Sequence, residues 1–222
     1  MPNSQPQGFL AVPPSGKGRG VLVLHPWWGL NETIRAFCLK LSEAGFIAFA
    51  ADLYHGKLAT TIPEADRLSN ELDAKAARRD IAEAVGFLGA HADPGGQGLG
   101  VVGFSLGAYF ALEVSATDPD HIRAAVSFYG TRGGDYAASK AEYLAHFAEA
   151  DEYEPESNVT AFEAALRKAG RPFTFHRYPG TGHWFFEPDR TDAYKPAAAT
   201  LAWDRTLAFL NKSLPLTGDR HA

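Results

Sequence analysis

The stretch Leu99-Gly100-Val101-Val102-Gly103-Phe104-Ser105-Leu106-Gly107 decides how this chain is read. It opens with an apolar run of the kind that forms a strand covered on both faces. It closes on a Gly-x-Ser-x-Gly pattern, and the residues that follow, as far as Leu112, read as a helix. A serine placed between strand and helix, with glycine on either side, suits a sharp turn that lifts its hydroxyl clear of a sheet. The start of the helix also directs backbone N–H groups, that of Leu106 above all, at the place where an oxyanion would develop. In a glycine-rich chain the five-residue pattern means little alone; its position gives it meaning.

Strands and helices alternate outward from this turn. Val21-Leu22-Val23-Leu24 is a second buried-strand run, and Asn31 caps a helix reaching about Glu43, with Ile34, Phe37, Leu41 and Ala44 on one face. Gly45 ends that helix and residues 46–50 form the next strand. Residues 63–91 are helix-prone, but their apolar stripe slips near 73–79, which predicts a break or two helices. Asp93-Pro94-Gly95-Gly96 is turn chemistry. Strands are expected at 124–129, 143–148 and 173–178 and helices at 159–169 and 196–211, with 13–20 a loop after a short edge strand. This alternation implies an α/β fold: a mainly parallel sheet of about seven strands flanked by helices on both faces. A single domain over 1–222 is expected, with 1–8 and 213–222 as flexible termini.

The chain has 222 residues, 45% hydrophobic and 21% charged, which excludes disorder, collagen-like repeats and coiled coil. Its formal charge of -5 leaves no basic surplus for nucleic acid. The one cysteine, Cys38, allows neither an internal disulfide nor a thiolate metal cluster and suits a reducing compartment. No run approaches the ~20 apolar residues of a membrane helix. The N-terminal stretch lacks the positive start of a secretory leader. A soluble, cytoplasmic protein is expected.

A serine hydroxyl needs a base to take its proton. Of eight histidines, His183 stands in Pro179-Gly180-Thr181-Gly182-His183-Trp184-Phe185-Phe186, after a strand and before the last helix. That is the strand-end edge where parallel sheets gather their sites. Asp151, between the 143–148 strand and the 159–169 helix, gives the chain order Ser, Asp, His. Glu152, Glu154 and Asp135 are alternatives for the acid. Trp27, Trp28, Tyr54, Tyr129, Trp184, Phe185 and Phe186 fall on strand-end loops and are expected to line an apolar pocket that accepts aromatic groups, with about half of them serving the core instead.

With these segments in view the sequence resembles the dienelactone hydrolase family of the α/β-hydrolase fold. The resemblance rests on His25-Pro26-Trp27-Trp28-Gly29-Leu30-Asn31, Ala51-Asp52-Leu53-Tyr54, Gly103–Gly107, Ala148-Glu149-Ala150-Asp151 and Pro179–Phe186, in the family's order. It implies that Ser105, Asp151 and His183 form a catalytic triad, that the backbone N–H of Trp27 joins that of Leu106 in an oxyanion hole, and that the protein is a monomer. It also implies a small-molecule ester or lactone substrate, hydrolysed through an acyl-enzyme with no metal or organic cofactor.

The chain departs from the best-known members in three ways. They use a cysteine nucleophile where this chain has Ser105. They carry a glutamate that activates the thiol at the position of Pro26. They follow the histidine with a serine and, a few residues later, an arginine for the substrate carboxylate, where this chain has Trp184 and Glu187, with Arg190 as an offset candidate. A preference for neutral aromatic or short acyl esters over anionic lactones is therefore expected. A thioesterase or acyltransferase with the same triad, and a non-catalytic binding protein on the same fold, are the rival readings.

Overall fold

Apolar runs too continuous to alternate become strands with both faces covered. In the computed structural model, which describes residues 5–92 and 98–215, Val21, Leu22, Val23 and Leu24 are completely buried. They lie in β2 (Arg19–Leu24), beside β3 (Phe46–Ala51) and β4 (Leu99–Phe104) at the centre of a seven-stranded sheet. The other strands are β1 (Gly8–Ala11), β5 (Ile122–Phe128), β6 (Glu142–Ala148) and β7 (Phe173–Tyr178), in the order β1-β3-β2-β4-β5-β6-β7. Only the edge strand β1 runs antiparallel, against β3; the other pairs are parallel.

Among the described residues six helices cover the sheet: α1 (Glu32–Glu43), α2 (Ile62–Glu71), α3 (Ala74–His91), α4 (Leu106–Thr117), α5 (Glu156–Lys168) and α6 (Pro196–Ser213). Ile34, Phe37 and Leu41 of α1 join Ala199, Ala202 and Leu210 of α6 in one core. Ile81, Val85 and Leu88 of α3, Phe110 of α4 and Phe162 of α5 build the other. The slip in the apolar stripe near residue 73 is a chain break. The first helix stops at Glu71 and Asp73 caps the second by accepting from the Lys75 amide. Asn31 caps α1 as its position predicted, its side chain accepting from Ile34 N–H.

One expectation changes. The helix expected to end at Leu112 continues to Thr117. It is buried on nearly every side, so Glu113 and Ser115 lie inside rather than marking its end; the Ser115 hydroxyl meets that of Tyr143 at 3.1 Å. The described parts of the expected flexible termini are docked. Gly8 pairs with Ala51 in the sheet, and Leu214 is buried with its carbonyl accepting from Arg19. The expected 93–96 turn lies outside the described residues. Among those described, no helix is long and apolar enough to cross a membrane.

Because the parallel strands share one direction, the loops after β2, β4, β5, β6 and β7 all emerge at the same edge.

Candidate active site

The turn between β4 and α4 is strained and crowded. Ser105 has φ +49° and ψ −113°, in the left-handed region that a β-carbon disfavours. Its N–H donates to Phe128 O at 3.0 Å and its carbonyl accepts from Ala108 at 2.9 Å, which ties the strained residue to β5 and to its own helix. A β-carbon on Gly103 would run into the Gly107 carbonyl, and one on Gly107 into the Leu24 carbonyl. Both glycines are required by close approach, so the surroundings over-determine where the serine points.

Loops from two other strands meet it. His183, in the β7–α6 loop, has Nε2 3.0 Å from Ser105 Oγ. Its Nδ1 is 2.8 Å from each carboxylate oxygen of Asp151, in the β6–α5 loop. The two side chains are only 5% and 7% exposed, so water scarcely weakens the pair. Asp151 Oδ1 also accepts from the Tyr153 and Glu154 amides, each at 3.0 Å, which fixes the carboxylate. A carboxylate on Nδ1 holds the proton there and leaves Nε2 to accept from the serine. The alternatives for the acid lie elsewhere. Glu154 accepts from the Thr131 amide and hydroxyl at 2.8 and 2.9 Å, Asp135 from the Ala137 amide, and Glu152 is exposed.

Leu106 opens α4, where the first amides have no partner within the helix. Trp27 follows β2 in a loop braced by His25. That ring is fully buried; its Nδ1–H donates to Pro26 O at 2.7 Å and its Nε2 accepts from the Leu53 amide at 3.1 Å. Burial holds His25 below the usual imidazole range, so it stays neutral and keeps both bonds. Cys38 is buried in α1, and burial pushes its thiol up to about 12, leaving no thiolate to act as nucleophile.

The aromatic residues divide. Trp27 and Trp184 are half-buried and stacked, ring centroids 6.1 Å apart, with Trp28 5.3 Å from Trp184 and Tyr54 in the same cluster. Phe185, Phe186 and Tyr129 belong to the core: Phe185 and Tyr129 are completely buried and Phe185 packs on Tyr178. The turn after Trp184 aims these side chains down toward the sheet. Arg190 is committed, with Nη2 on Asp189 at 2.8 Å and its guanidinium 4.1 Å over the Trp28 ring.

Two residues at the site were not expected there as contacts of the histidine. The Tyr153 ring lies 5.1 Å from that of His183 and 4.9 Å from that of Trp184, over the imidazole. Its position two residues after Asp151 was the available clue. Glu187 is completely buried below, with Oε1 accepting from the Tyr129 hydroxyl at 2.6 Å. An open groove of about 720 Å³ flanks the set, lined by Asp151, Glu152, Tyr153, His183, Asp192 and Lys195. Among the described residues, Ser105, Tyr129, Trp184 and His55 are the non-glycine positions with left-handed φ, and the first three converge here. Among those residues, too, no group of three or more His, Cys, Asp and Glu side chains is placed to hold a metal ion.

Known proteins resemble this chain over nearly its whole length. The chain is 32% identical over 219 residues to Protein usf of Aquifex pyrophilus, covering 94% of each. It is 27% identical to the carboxymethylenebutenolidase of Rhodococcus opacus, covering 96% of this chain and 89% of that one. A dienelactone hydrolase-like promiscuous phosphotriesterase from metagenomic libraries, 19% identical, superposes with a TM-score of 0.82 over 93% of this chain and 92% of its own. The profile of the dienelactone hydrolase family matches residues 7–214. The sheet order, the strained serine turn and that near-complete match agree: the chain belongs to the dienelactone hydrolase family and has the α/β-hydrolase fold.

Proposed function

We propose that this protein hydrolyses carboxylic esters or lactones with Ser105 as nucleophile. The observation that carries the reading is the continuous hydrogen-bonded set from Ser105 Oγ through His183 to Asp151. His183 Nε2 takes the hydroxyl proton as Oγ attacks the carbonyl carbon, and Asp151 stabilises the imidazolium that forms. The Leu106 and Trp27 amides receive the oxyanion. The imidazolium then gives its proton to the leaving alkoxide, an acyl-serine remains, and water activated by His183 releases the acid. Proton transfer and oxyanion binding suffice for this route, so it calls for no metal or organic cofactor.

The surroundings favour neutral substrates. The indole N–H groups of Trp27, Trp28 and Trp184 are buried without hydrogen-bond partners among the described residues, beside an apolar wall. Arg190 is engaged by Asp189 and Trp28, and Asp151, Glu152 and Asp192 outnumber Lys195 along the groove. An aromatic or short-chain neutral ester fits that environment better than an anionic lactone. The single buried cysteine suits a reducing compartment, so the cytoplasm is part of the proposal.

A fluorophosphonate probe followed by peptide mass spectrometry should place an adduct on Ser105 that is absent in His183→Ala. Folded wild-type protein without an adduct would overturn the nucleophile and favour a binding protein. A panel of neutral esters, carboxylate-bearing lactones and thioesters, compared by kcat/KM, tests the substrate class. A carboxylate-bearing lactone as best substrate refutes the neutral-ester preference, and product analysis with competing alcohols separates hydrolase from acyltransferase.

A further inference from the structure

Beneath the Ser105–His183–Asp151 set lies a second polar pair that the hydrolytic scheme does not use. Glu187, four residues after His183, is completely buried. Its Oε1 accepts from the Tyr129 hydroxyl at 2.6 Å, while Oε2 has no hydrogen-bond partner among the described residues. Tyr129 is also completely buried and is held at φ +38°, a conformation that costs energy and persists only where its surroundings enforce it. Its ring lies 4.8 Å from the His183 imidazole, on the inner side of the loop. The Glu187 main chain closes the turn after the histidine, its N–H donating to Trp184 O at 2.9 Å and its carbonyl accepting from Arg190 N–H at 3.0 Å.

We infer that Glu187 is a positioning residue for His183: its carboxyl anchors Tyr129, and the Tyr129 ring is the floor that holds the imidazole opposite Ser105. The inference rests on the hydrolase reading above and adds a control on it. A buried carboxylate with one hydrogen bond is far costlier than a buried carboxylic acid. Burial pushes Glu187 up to about 8, and the charge of Asp189 adds to the shift; the Tyr129 hydrogen bond and the Arg190 charge oppose it. Burial and the facing Glu187, Asp189 and Asp151 charges hold the Tyr129 hydroxyl well above the usual phenol range, so it remains a donor.

The charged groups around the pair are Asp151 from the β6–α5 loop and Asp189 and Arg190 from Glu187's own loop. Asp189 is already occupied, accepting from Asn31 Nδ2, Thr33 Oγ1 and Arg190. When Glu187 loses its proton, a new buried negative charge with one donor faces the Asp189 carboxylate, which the Arg190 cation opposes less strongly. The turn carrying His183 relaxes, and the added charge lies below a site that must accept an oxyanion. Nucleophile activation therefore weakens as pH rises through the region of about 8.

The test is the rate of Ser105 labelling by a fluorophosphonate from pH 6 to 9.5, in wild type, Glu187→Gln and Tyr129→Phe, with Tm measured alongside. Wild type should lose about fivefold or more in rate between pH 7.5 and 9.5. Glu187→Gln cannot ionise and should lack that alkaline limb. Tyr129→Phe keeps the ring, drops the anchor and should label several-fold more slowly at pH 7. A level wild-type profile, or the same alkaline limb in Glu187→Gln, overturns the inference while leaving the nucleophile in place. If Glu187→Gln does not fold, a Tyr129→Phe variant with the wild-type rate and profile overturns it equally. Folded wild type that never labels overturns the hydrolase reading itself, and this inference with it.

Discussion

The two loops that meet at the Ser105–His183 hydrogen bond are held in opposite ways. The serine turn is fixed by backbone contact: Gly103 and Gly107 let α4 approach β4 and β2 so closely that no side chain fits between. Apart from the Leu24 and His25 carbonyls and the Phe128 carbonyl that accepts from the serine N–H, the residues responsible lie within a few positions of the serine. The histidine loop is fixed by polar bonds to distant parts of the chain. Asp151 reaches it from 32 positions away, Tyr129 holds Glu187 from 58, and Asn31 and Thr33 hold Asp189 from 158 and 156. Sterics of this kind have one solution, whereas polar bonds can be loosened by moving a proton. In the proposed mechanism the nucleophile thus sits on the sterically fixed side of the site and the base on the side held by polar bonds.

Three substitutions can break or sharpen this contrast. Ser105→Ala should have the largest effect, lowering kcat for a neutral ester by ~10³ or more with the fold intact. Turnover kept within tenfold of wild type would remove the serine from the chemistry. Next, Gly107→Ala drives a methyl group into the Leu24 carbonyl, with backbone on both sides. Overpacking of that kind costs about 1–3 kcal/mol or more, so Tm should fall by at least ~3 °C, or the protein should fail to fold. An unchanged Tm would show that the elbow is less tightly determined than its geometry indicates.

The effect expected in the adjustable half depends on pH and vanishes where Glu187 is protonated in both states. Glu187 releases its proton near ~4.3 when unfolded and at about 8 when folded. Between those values the native state binds more protons than the unfolded state, so stability falls as pH rises and levels off above the folded value. Glu187→Gln lacks this decline. Denaturant unfolding should show the variant gaining on wild type from pH 5 to pH 8 by on the order of a few kcal/mol. Parallel profiles would mean that the carboxyl is not confined as the structure shows.

The same contrast explains what could be read in advance. Periodicity found β2 to β7 and all six helices, because burial on one face or two leaves a local signature in spacing. The break at Leu72–Asp73 was legible for that reason, while the extra turn of α4 was not, since a helix buried all round has no polar stripe to mark its end. Of the aromatic residues after His183, only Trp184 faces the site; Phe185 and Phe186 turn inward, which no alternation in a loop can show. Tyr153 is one phenol among eight in the sequence, and its place two residues after Asp151 does not by itself show that it lies over the imidazole.

The sequence by itself determined the strand–serine–helix turn and the order of the elements and pointed to Ser105, to His183 and to a short list of acids headed by Asp151, because each is signalled by neighbours in the chain. Only the tertiary structure decided that Asp151 rather than Glu154 reaches the imidazole, that Arg190 is taken up by Asp189 and Trp28, and that Glu187 is sealed beneath Tyr129. Those outcomes depend on how loops from separate strands pack at one edge of the sheet. A carboxyl group looks the same in sequence whether it meets water, an imidazole or a buried phenol, and its chemistry is set by which of these it meets.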